Sequence, residues 1–245
     1  MKKLIIFLYG IFAYLLFLIA FLYAIGFTGN FIVPKSIDSG TGTPFLQALL
    51  VNALLLSVFA IQHSIMARPA FKKGFTKIID PAIERSTFVL LSSLALLLIY
   101  WKWQPVTTII WQAENEIAIY ILTGIFFLGW LIVFLSTFMI NHFELFGLKQ
   151  IFDNLKDKQT QSPKFQTNYF YKIVRHPIML GFIIGFWATP TMTTGHLIFA
   201  VITTVYILIS VKYLEEKDLR GYIGKDYEEY QKKVPMIVPF TKRRK

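Results

Sequence analysis

The chain has 245 residues, of which 55% are hydrophobic and only 16% are charged, and it contains no cysteine. This composition excludes a disordered protein and argues against a water-soluble enzyme. The lack of cysteine excludes disulfides, thiolate metal sites and cysteine nucleophiles. The charges are uneven, with 25 Lys+Arg against 14 Asp+Glu. In so apolar a chain this excess indicates a membrane surface and lipid as the partner rather than nucleic acid.

Four apolar stretches reach or nearly reach the length of about 20 residues that a membrane-crossing helix requires. In chain order they are Leu4–Phe27, Phe45–Ile65, Thr87–Trp103 and Ile117–Ile140. The first is too long for a signal peptide and no small-residue cleavage site follows it, so we interpret it as an anchor. A fifth region, Ile178–Tyr213, contains Pro190 and Gly195. It predicts a helical hairpin whose first arm ends near Ala188 and whose return arm begins near His196.

The basic residues predict the orientation. If the N-terminus is cytoplasmic, 23 of the 25 Lys and Arg residues lie on the cytoplasmic side, leaving only Lys35 and Lys102 outside. This asymmetry follows the positive-inside rule, so we expect both termini in the cytoplasm. The fold class is all-α, a polytopic integral membrane helical bundle of four spans plus a C-terminal helical hairpin.

We expect a single domain over residues 1–245. Its parts, in order, are four spans (1–140), a cytoplasmic connector (141–177), the hairpin (178–213) and a cytoplasmic tail (214–245). Within the connector, Phe152–Thr167 is polar enough to form a mobile loop.

The hairpin is preceded by Arg175, His176 and Pro177. Proline suits the first turn of a helix, and the N–H groups and dipole of a helix N-terminus attract an anion such as a carboxylate. The alternative is an arginine that anchors the helix at the lipid headgroups beside a histidine that fills space.

Two glutamates follow the hairpin. Because its arms return to the same face, we expect Glu215 and Glu216 to lie near Arg175 and His176, which gives a cationic and an anionic site for a zwitterionic amino-acid group. An Arg–Glu ion pair that closes the hairpin is an alternative that does not exclude this function.

Further along the tail, Tyr227 and Tyr230 are three residues apart and share a helical face, from which they could close over a ligand. Tyrosines that only lie at the membrane interface are the alternative. The terminal Lys242–Lys245 run is typical of a headgroup contact.

Two further histidines lie near the cytoplasmic ends of spans. His63 is close to the end of the second span, and His142 follows the fourth together with Glu144. Ionisable groups in a span are costly, and a histidine with a pKa near 6.5 can act as a base. His196 lies at the outer turn of the hairpin, where we expect a structural role.

Several motifs are missing. The sequence has no G-x-G-x-x-G and no P-loop, which argues against a Rossmann or Walker nucleotide site. The spacing of His63, His142 and Glu144 matches no zinc pattern, so we expect no metal.

The order of Arg175-His176-Pro177, a hairpin, Glu215-Glu216 and paired tyrosines resembles the signature of a superfamily of integral-membrane methyltransferases. This superfamily includes isoprenylcysteine carboxyl methyltransferase and phospholipid N-methyltransferases, which use S-adenosylmethionine without a Rossmann domain. Met179 stands where the superfamily often has tyrosine.

Segments elsewhere in the chain are similar to the methanethiol S-methyltransferase family. They are Gln62-His63-Ser64, Met66-Ala67-Arg68-Pro69, Glu84-Arg85-Ser86-Thr87, Leu90–Ala95, Trp101–Pro105, His142–Gln150 and Phe186–Thr194. The resemblance implies S-adenosylmethionine-dependent methylation of methanethiol, a small volatile thiol, to dimethyl sulfide, with S-adenosylhomocysteine as the second product.

The resemblance also implies a cytoplasmic pocket for S-adenosylmethionine. The residues that would bind it are Arg175, His176, Glu215, Glu216, Tyr227 and Tyr230. The thiol must lose its proton, and the candidate bases are His63 and His142, with Glu144 as a group that could orient one of them.

Two other functions remain open from the sequence. One is methylation of an isoprenylcysteine carboxyl group or of a lipid. The other is a non-catalytic membrane protein whose histidines and carboxylates form a proton or small-solute pathway. Such a pathway should place ionisable groups across the bilayer, whereas these groups cluster at one face, which favours the enzyme.

Overall fold

The structure is a computed structural model that describes residues 1–158, 165 and 167–241. Contacts divide the chain into two compact units, of which the first is Met1–Val106 with Asn141–Pro163 and the second is Thr107–Ile140 with Lys164–Lys245. The assignment of one domain to the whole chain stays a prediction. The loop predicted at Phe152–Thr167 lies partly outside the described residues, and the basic run Lys242–Lys245 lies wholly outside them.

The described part of the first unit is built from helices. They are α1 (Lys2–Gly29), α2 (Phe45–Met66), α3 (Pro69–Phe75), α4 (Pro81–Lys102), α6 (His142–Leu145) and α7 (Leu148–Leu155). Helix α4 packs against both α1 and α2. It begins before the predicted Thr87, because Asp80 caps its N-terminus by accepting a hydrogen bond from the Ala82 N–H at 3.1 Å and Pro81 fits its first turn.

The second unit contains the hairpin. Its elements are β1 (Ile109–Gln112), α5 (Glu116–Ile140), a 3₁₀ turn (Tyr169–Lys172), α8 (Pro177–Trp187), β2 (Thr191–Thr193), α9 (Thr194–Ser210), a π-helical segment (Val211–Glu215), α10 (Glu216–Ile223) and α11 (Lys225–Lys233).

The two short strands were not predicted from the sequence. Strand β2 occupies the turn of the hairpin and pairs antiparallel with β1, so that Gln112 lies opposite Thr191 and Trp111 opposite Met192. The side chain of Thr193 then caps α9 by accepting a hydrogen bond from the His196 N–H at 3.1 Å. The hairpin turn is therefore fixed by backbone pairing and by a helix cap.

Glycines bring α8 close to α5. A Cβ atom on Gly181 would lie 2.6 Å from the backbone oxygen of Gly129, and one on Gly129 would lie 2.6 Å from the backbone nitrogen of Gly185. Only glycine allows this approach of two helix backbones. The contact holds α8, and with it the segment that precedes Pro177, against α5.

Among the described residues, five helices are long and apolar enough to cross a membrane: α1, α2, α4, α5 and the continuous helix from α9 to α10. Their apolar side chains point outward, as the exposed stripe on α1 illustrates, which consists of Leu8, Phe12, Leu15, Ile19 and Leu22. Such a stripe at helical spacing suits lipid and would be unfavourable in water. The prediction of a polytopic helical membrane bundle is confirmed.

Candidate active site

A hydrogen-bond network in the second unit is centred on the carboxylate of Glu216, at the end that the sequence predicts to face the cytoplasm. Glu216 is 5% exposed. It accepts a forked pair of hydrogen bonds from Arg175, Nε to Oε1 at 2.8 Å and Nη2 to Oε2 at 2.9 Å. His176 Nε2 lies 2.7 Å from Oε1, and the Tyr227 hydroxyl donates to the same oxygen at 2.9 Å. The Gln231 amide donates to Oε2. We call these five residues the Glu216 network.

The chain brings this network together because the hairpin returns to its starting end. His176 is the residue that caps α8, and Glu216 begins α10 after the π-helical segment, so two residues 40 positions apart meet. Burying a carboxylate is costly unless it is paired and hydrogen-bonded, and here the two cationic side chains and two further donors, Tyr227 and Gln231, meet that requirement. The predicted approach of Arg175 and His176 to the glutamates is what the contacts show.

The tail after α11 is joined to the same segment. The backbone N–H groups of Arg175 and His176 donate to the carbonyl oxygens of Pro235 at 2.9 Å and Met236 at 3.1 Å. Arg175 Nη1 donates to the carbonyls of Gln231 at 3.2 Å and Val234 at 2.5 Å. The guanidinium is therefore engaged with protein groups on both edges, and the Arg–Glu ion pair that the sequence left open as an alternative is present.

The two neighbouring glutamates differ in their surroundings. The side chain of Glu215 is 42% exposed, whereas that of Glu216 is 6% exposed. Glu215 Oε1 lies 3.6 Å from His176 Nδ1, a longer contact than the one Glu216 makes with the same ring. Glu216 is thus an internal hydrogen-bonding centre, and Glu215 presents a carboxylate to the surface.

His176 carries a proton at neutral pH. Burial acts against the charged ring, but the carboxylates of Glu215 and then Glu216 outweigh it and raise the pKa of His176 to about 9. With Arg175, the histidine therefore gives two positive charges facing two negative ones. A ring held in the protonated form is an unsuitable general base near neutral pH.

Both tyrosines of α11 are buried and point into this region. Tyr227 bonds to Glu216, and the hydroxyl of Tyr230 donates to the carbonyl oxygen of Tyr171. Burial raises the pKa of each phenol, so both remain neutral donors. That they close over a ligand stays a prediction.

His63 and His142 lie in the first unit. His63 packs against the rings of Phe59 and Phe88, with centroid separations of 5.1 and 4.8 Å, and its Nδ1 lies 3.2 Å from the Ser92 hydroxyl. His142 is 4% exposed, and its Nε2 lies 2.8 Å from the Tyr14 hydroxyl. Burial lowers the pKa of His142, which favours its neutral ring.

Glu144 bonds to its own helix cap. Its carboxylate accepts a hydrogen bond from the Asn141 amide at 2.7 Å, while its backbone N–H donates to the Asn141 side chain at 3.3 Å. This reciprocal pair differs from a capping box in that the side-chain amide of Asn141, rather than its backbone N–H, donates to the glutamate. The carboxylate that the sequence suggested for orienting a histidine is thus engaged with Asn141, and the side chain that contacts His142 Nε2 is Tyr14.

His196 has the structural role that the sequence suggested. It is fully buried, and its Nε2 bonds to the carbonyl oxygen of Phe186 at 2.9 Å, which joins the two arms of the hairpin. Within the described ranges, no three His, Asp or Glu side chains are grouped so that they could hold a metal ion.

Sequence reasoning did not find Gln231, Ser92 or Tyr14. A signal existed only for Gln231, which lies four positions after Tyr227 and hence on the same face of α11. Ser92 and Tyr14 lie in apolar helices, where no local pattern indicates which polar side chain will meet a histidine.

The chain has outward-facing apolar stripes, a helical hairpin, and buried charged residues before and after that hairpin. These features define a multi-pass helical membrane protein with a polar centre in its second unit. The family model of the NnrU protein matches residues 50–237, and the chain belongs to this family.

Sequence identity to curated relatives indicates a more specific family for the chain. The chain is 53% identical over 244 residues to methanethiol S-methyltransferase 2 of Bradyrhizobium diazoefficiens, covering 99% of this chain and 93% of that protein. It is 48% identical over 243 residues to methanethiol S-methyltransferase of Mycobacterium tuberculosis, covering 99% of both chains. It is also 30% identical over 188 residues to Nurim of Mus musculus, covering 71% of this chain and 69% of that protein. No solved structure matches. The chain belongs to the methanethiol S-methyltransferase family, which confirms the resemblance seen in the sequence.

Proposed function

We propose that this protein transfers a methyl group from S-adenosylmethionine to methanethiol and releases dimethyl sulfide and S-adenosylhomocysteine. The observation that carries the proposal is the near full-length similarity to curated proteins named methanethiol S-methyltransferase, at 53% and 48% identity. The basic residues support a reaction at the cytoplasmic face, with both termini in the cytoplasm.

The charges of the second unit fit the amino-acid end of S-adenosylmethionine. The exposed carboxylate of Glu215 suits an ammonium group or ribose hydroxyls, and the positive charges of Arg175 and His176 suit a carboxylate. Since the guanidinium already donates to Glu216 and to backbone carbonyls, we assign it an electrostatic role at the edge of the pocket.

Glu216, Tyr227 and Tyr230 support the proposed binding site by holding in place the groups that contact the ligand. Glu216 fixes the positions of both cationic side chains, and Tyr227 fixes Glu216. Tyr230 joins α11 to the backbone at Tyr171. These three residues therefore prearrange the groups that contact the ligand, which reduces the loss of conformational freedom on binding.

S-adenosylmethionine supplies a methyl group that its sulfonium already activates, so the protein's main tasks are to position the thiol and to remove its proton. Even a free cysteine thiol has a pKa of about 8.5, so only a small fraction of such a thiol is ionised at neutral pH. His63 and His142 are the proposed bases. The protonated His176 is unsuited to the role.

A headspace assay tests the proposed function. Purified protein in liposomes is supplied with S-adenosylmethionine and methanethiol, a longer alkyl thiol, or a prenylated cysteine. We expect dimethyl sulfide from methanethiol and little product from the prenylated cysteine. Methyl transfer to the prenylated cysteine alone would instead support carboxyl methylation. No transfer to any acceptor, with S-adenosylhomocysteine bound, would overturn the proposal.

A further inference from the structure

An open cavity lies at the end of the first unit where α1 and α4 finish and α2 begins. Its volume is about 410 Å³, which lies within the roughly 300–1,000 Å³ of ligand pockets. The polar residues that line it all belong to the first unit, and they are Lys35, Ser39, Gly40, Thr41, Thr43 and Gln104. The distribution of basic residues predicts that this end lies outside the cytoplasm.

Lys35 supplies a positive charge to the cavity. Its backbone is held by Tyr23, whose hydroxyl donates to the Lys35 carbonyl at 3.0 Å and accepts from the Lys35 N–H at 3.3 Å. An ammonium has three donors, and that of Lys35 gives one of them to the carbonyl oxygen of Trp101 at 2.7 Å. Burial and the positive charge of Lys102 lower the pKa of Lys35. An anion beside Lys35 would offset both effects.

The loop Ser39–Thr43, with the sequence Ser-Gly-Thr-Gly-Thr, supplies uncharged donors. Within the described part of the chain, the backbone N–H groups of Gly40 and Thr41 and the hydroxyl of Thr41 donate to no protein acceptor. Gly40 has a φ of 112°, which residues with a Cβ atom rarely adopt, and this conformation lets the loop turn. Successive free N–H groups in a turn are typical of anion-binding sites.

This loop is tied to the end of α4. The Thr43 N–H donates to the carbonyl oxygen of Pro105 at 3.2 Å, and the Thr43 hydroxyl donates to Oε1 of Gln104 at 3.1 Å. The Gln104 N–H donates to the side chain of Asn52 at 2.9 Å, and the amide of Asn52 donates back to the Gln104 carbonyl at 2.8 Å. The donors are therefore held in place before a ligand binds, which lowers the entropic cost of binding.

The position of the cavity favours a lipid headgroup as the source of the anion. The loop belongs to the connection between α1 and α2, two helices that can span a membrane, so the cavity lies at the membrane boundary. Trp101, whose carbonyl accepts from Lys35, is 67% exposed, and Nζ of Lys102 lies 3.7 Å from the centre of its ring. Tryptophan and lysine at the end of a span are typical of the headgroup level.

We propose that Lys35 and the loop Ser39–Thr43 form a binding site for the phosphate of an anionic phospholipid. Lys35, the two free N–H groups and the Thr41 hydroxyl donate to the phosphate oxygens. Among the described residues that line the cavity, only Lys35 is charged. The nearby Asp38 lies outside this lining and bonds to Asn30, whose amide donates to its carboxylate at 2.7 Å. The site shares no residue with the Glu216 network and does not depend on the proposed methyl transfer.

Amide hydrogen exchange tests the site directly. Exchange of the peptide that spans residues 36–43 is followed by mass spectrometry with millisecond labelling, in micelles that receive phosphatidylglycerol, a neutral galactolipid with the same acyl chains, or inorganic phosphate. We expect phosphatidylglycerol to slow exchange at Gly40 and Thr41, and the other two probes to have little effect at the same concentration. Equal slowing by the galactolipid would refute recognition of phosphate, and equal slowing by inorganic phosphate would refute a lipid as the ligand. No slowing by any probe would overturn the site.

Variants link this protection to the named groups. Lys35→Gln should raise the phosphatidylglycerol concentration at half effect about fivefold, the equivalent of ~1 kcal/mol for one lysine at a membrane surface. Lys35→Arg keeps the charge and should stay close to the wild type. Lys77→Gln is the matched control, because this exposed lysine precedes α4 whereas the cavity lies after it, so we expect no change.

Thr41→Val gives a second variant that leaves the core intact, since Thr41 is exposed. Loss of its hydroxyl should raise the concentration at half effect at least twofold. Equal changes in Lys35→Gln and Lys77→Gln, or wild-type behaviour of both Lys35→Gln and Thr41→Val, would overturn the proposal.

Discussion

Replacing Glu216 by Gln removes the charge at the centre of the Glu216 network without changing the shape of the side chain. Arg175 and the protonated His176 then lose their buried counterion, and the new amide NH₂ faces groups that also donate. Removing one partner of a buried ion pair costs about 3–5 kcal/mol. Glu216 is 5% exposed, so little solvent is present to compensate. At about 2–4 °C per kcal/mol for a chain of this size, the thermal midpoint should fall by about 6–20 °C.

The assay is thermal unfolding in detergent, followed by intrinsic fluorescence, with Glu215→Gln as the matched control. Glu215 has the same side chain one residue earlier but is 42% exposed. We expect its substitution to lower the midpoint by less than Glu216→Gln does, because the contact of Glu215 with His176 is longer and partly screened by solvent, and to weaken binding of S-adenosylhomocysteine in calorimetry. Equal midpoint losses in the two variants, or a stable Glu216→Gln protein, would refute the division of roles between the glutamates.

Three more predictions follow from the second unit. The pKa of His176 is raised to about 9, so protonation of this ring stabilises the fold. This contribution is complete below about pH 6.5 and is lost as the pH rises through about 9. The thermal midpoint of unfolding should therefore fall over this pH range in the wild type and fall less in His176→Gln. Gly129→Ala should separate α5 from α8 at a cost of about 1–3 kcal/mol, measured by chemical unfolding, whereas Gly124→Ala, which meets nothing within 4 Å, should not. Gln231→Leu should weaken binding of S-adenosylhomocysteine more than Lys232→Ala does on the same helix, and equal affinities would contradict a role for Gln231 in holding Glu216.

The architecture was largely predictable because hydrophobic length and charge asymmetry act over whole segments. The spans and the hairpin follow from such averages, and so does the meeting of Arg175 with Glu216 across the hairpin. Hydrophobicity and charge averaged over a segment do not show at which residue a helix begins. Helix α4 starts at Pro81 because Asp80 caps it, although polar residues in its first turn hide that start from a search for apolar stretches.

The different surroundings of Glu215 and Glu216 were not predictable. Glu215 ends the π-helical segment Val211–Glu215, and Glu216 begins the helix after it. The wider turn of the π-helix changes which side chains face inward. No local pattern in the sequence indicates this change of register. The same holds for β1 and β2, because a pairing of short strands depends on a long-range contact rather than on the propensity of three or four residues.

The contact between Ser92 and His63 was also hidden in the sequence, for another reason. A serine in an apolar helix usually bonds to its own backbone, as Ser93 does. Whether it meets a histidine on another helix depends on how the two helices pack. The motif Gln62-His63-Ser64 shows the histidine, while its contact with Ser92 is found only once α2 and α4 are seen together.

In the proposed reaction, the protein moves the methyl group of S-adenosylmethionine onto methanethiol. The most direct measurement supplies purified protein in liposomes with S-adenosylmethionine carrying a deuterated methyl group, and records by mass spectrometry the dimethyl sulfide in the headspace. We expect dimethyl sulfide that carries the deuterated methyl group, formed in equal amount with S-adenosylhomocysteine. Unlabelled product, or none from protein that binds S-adenosylhomocysteine, would contradict it.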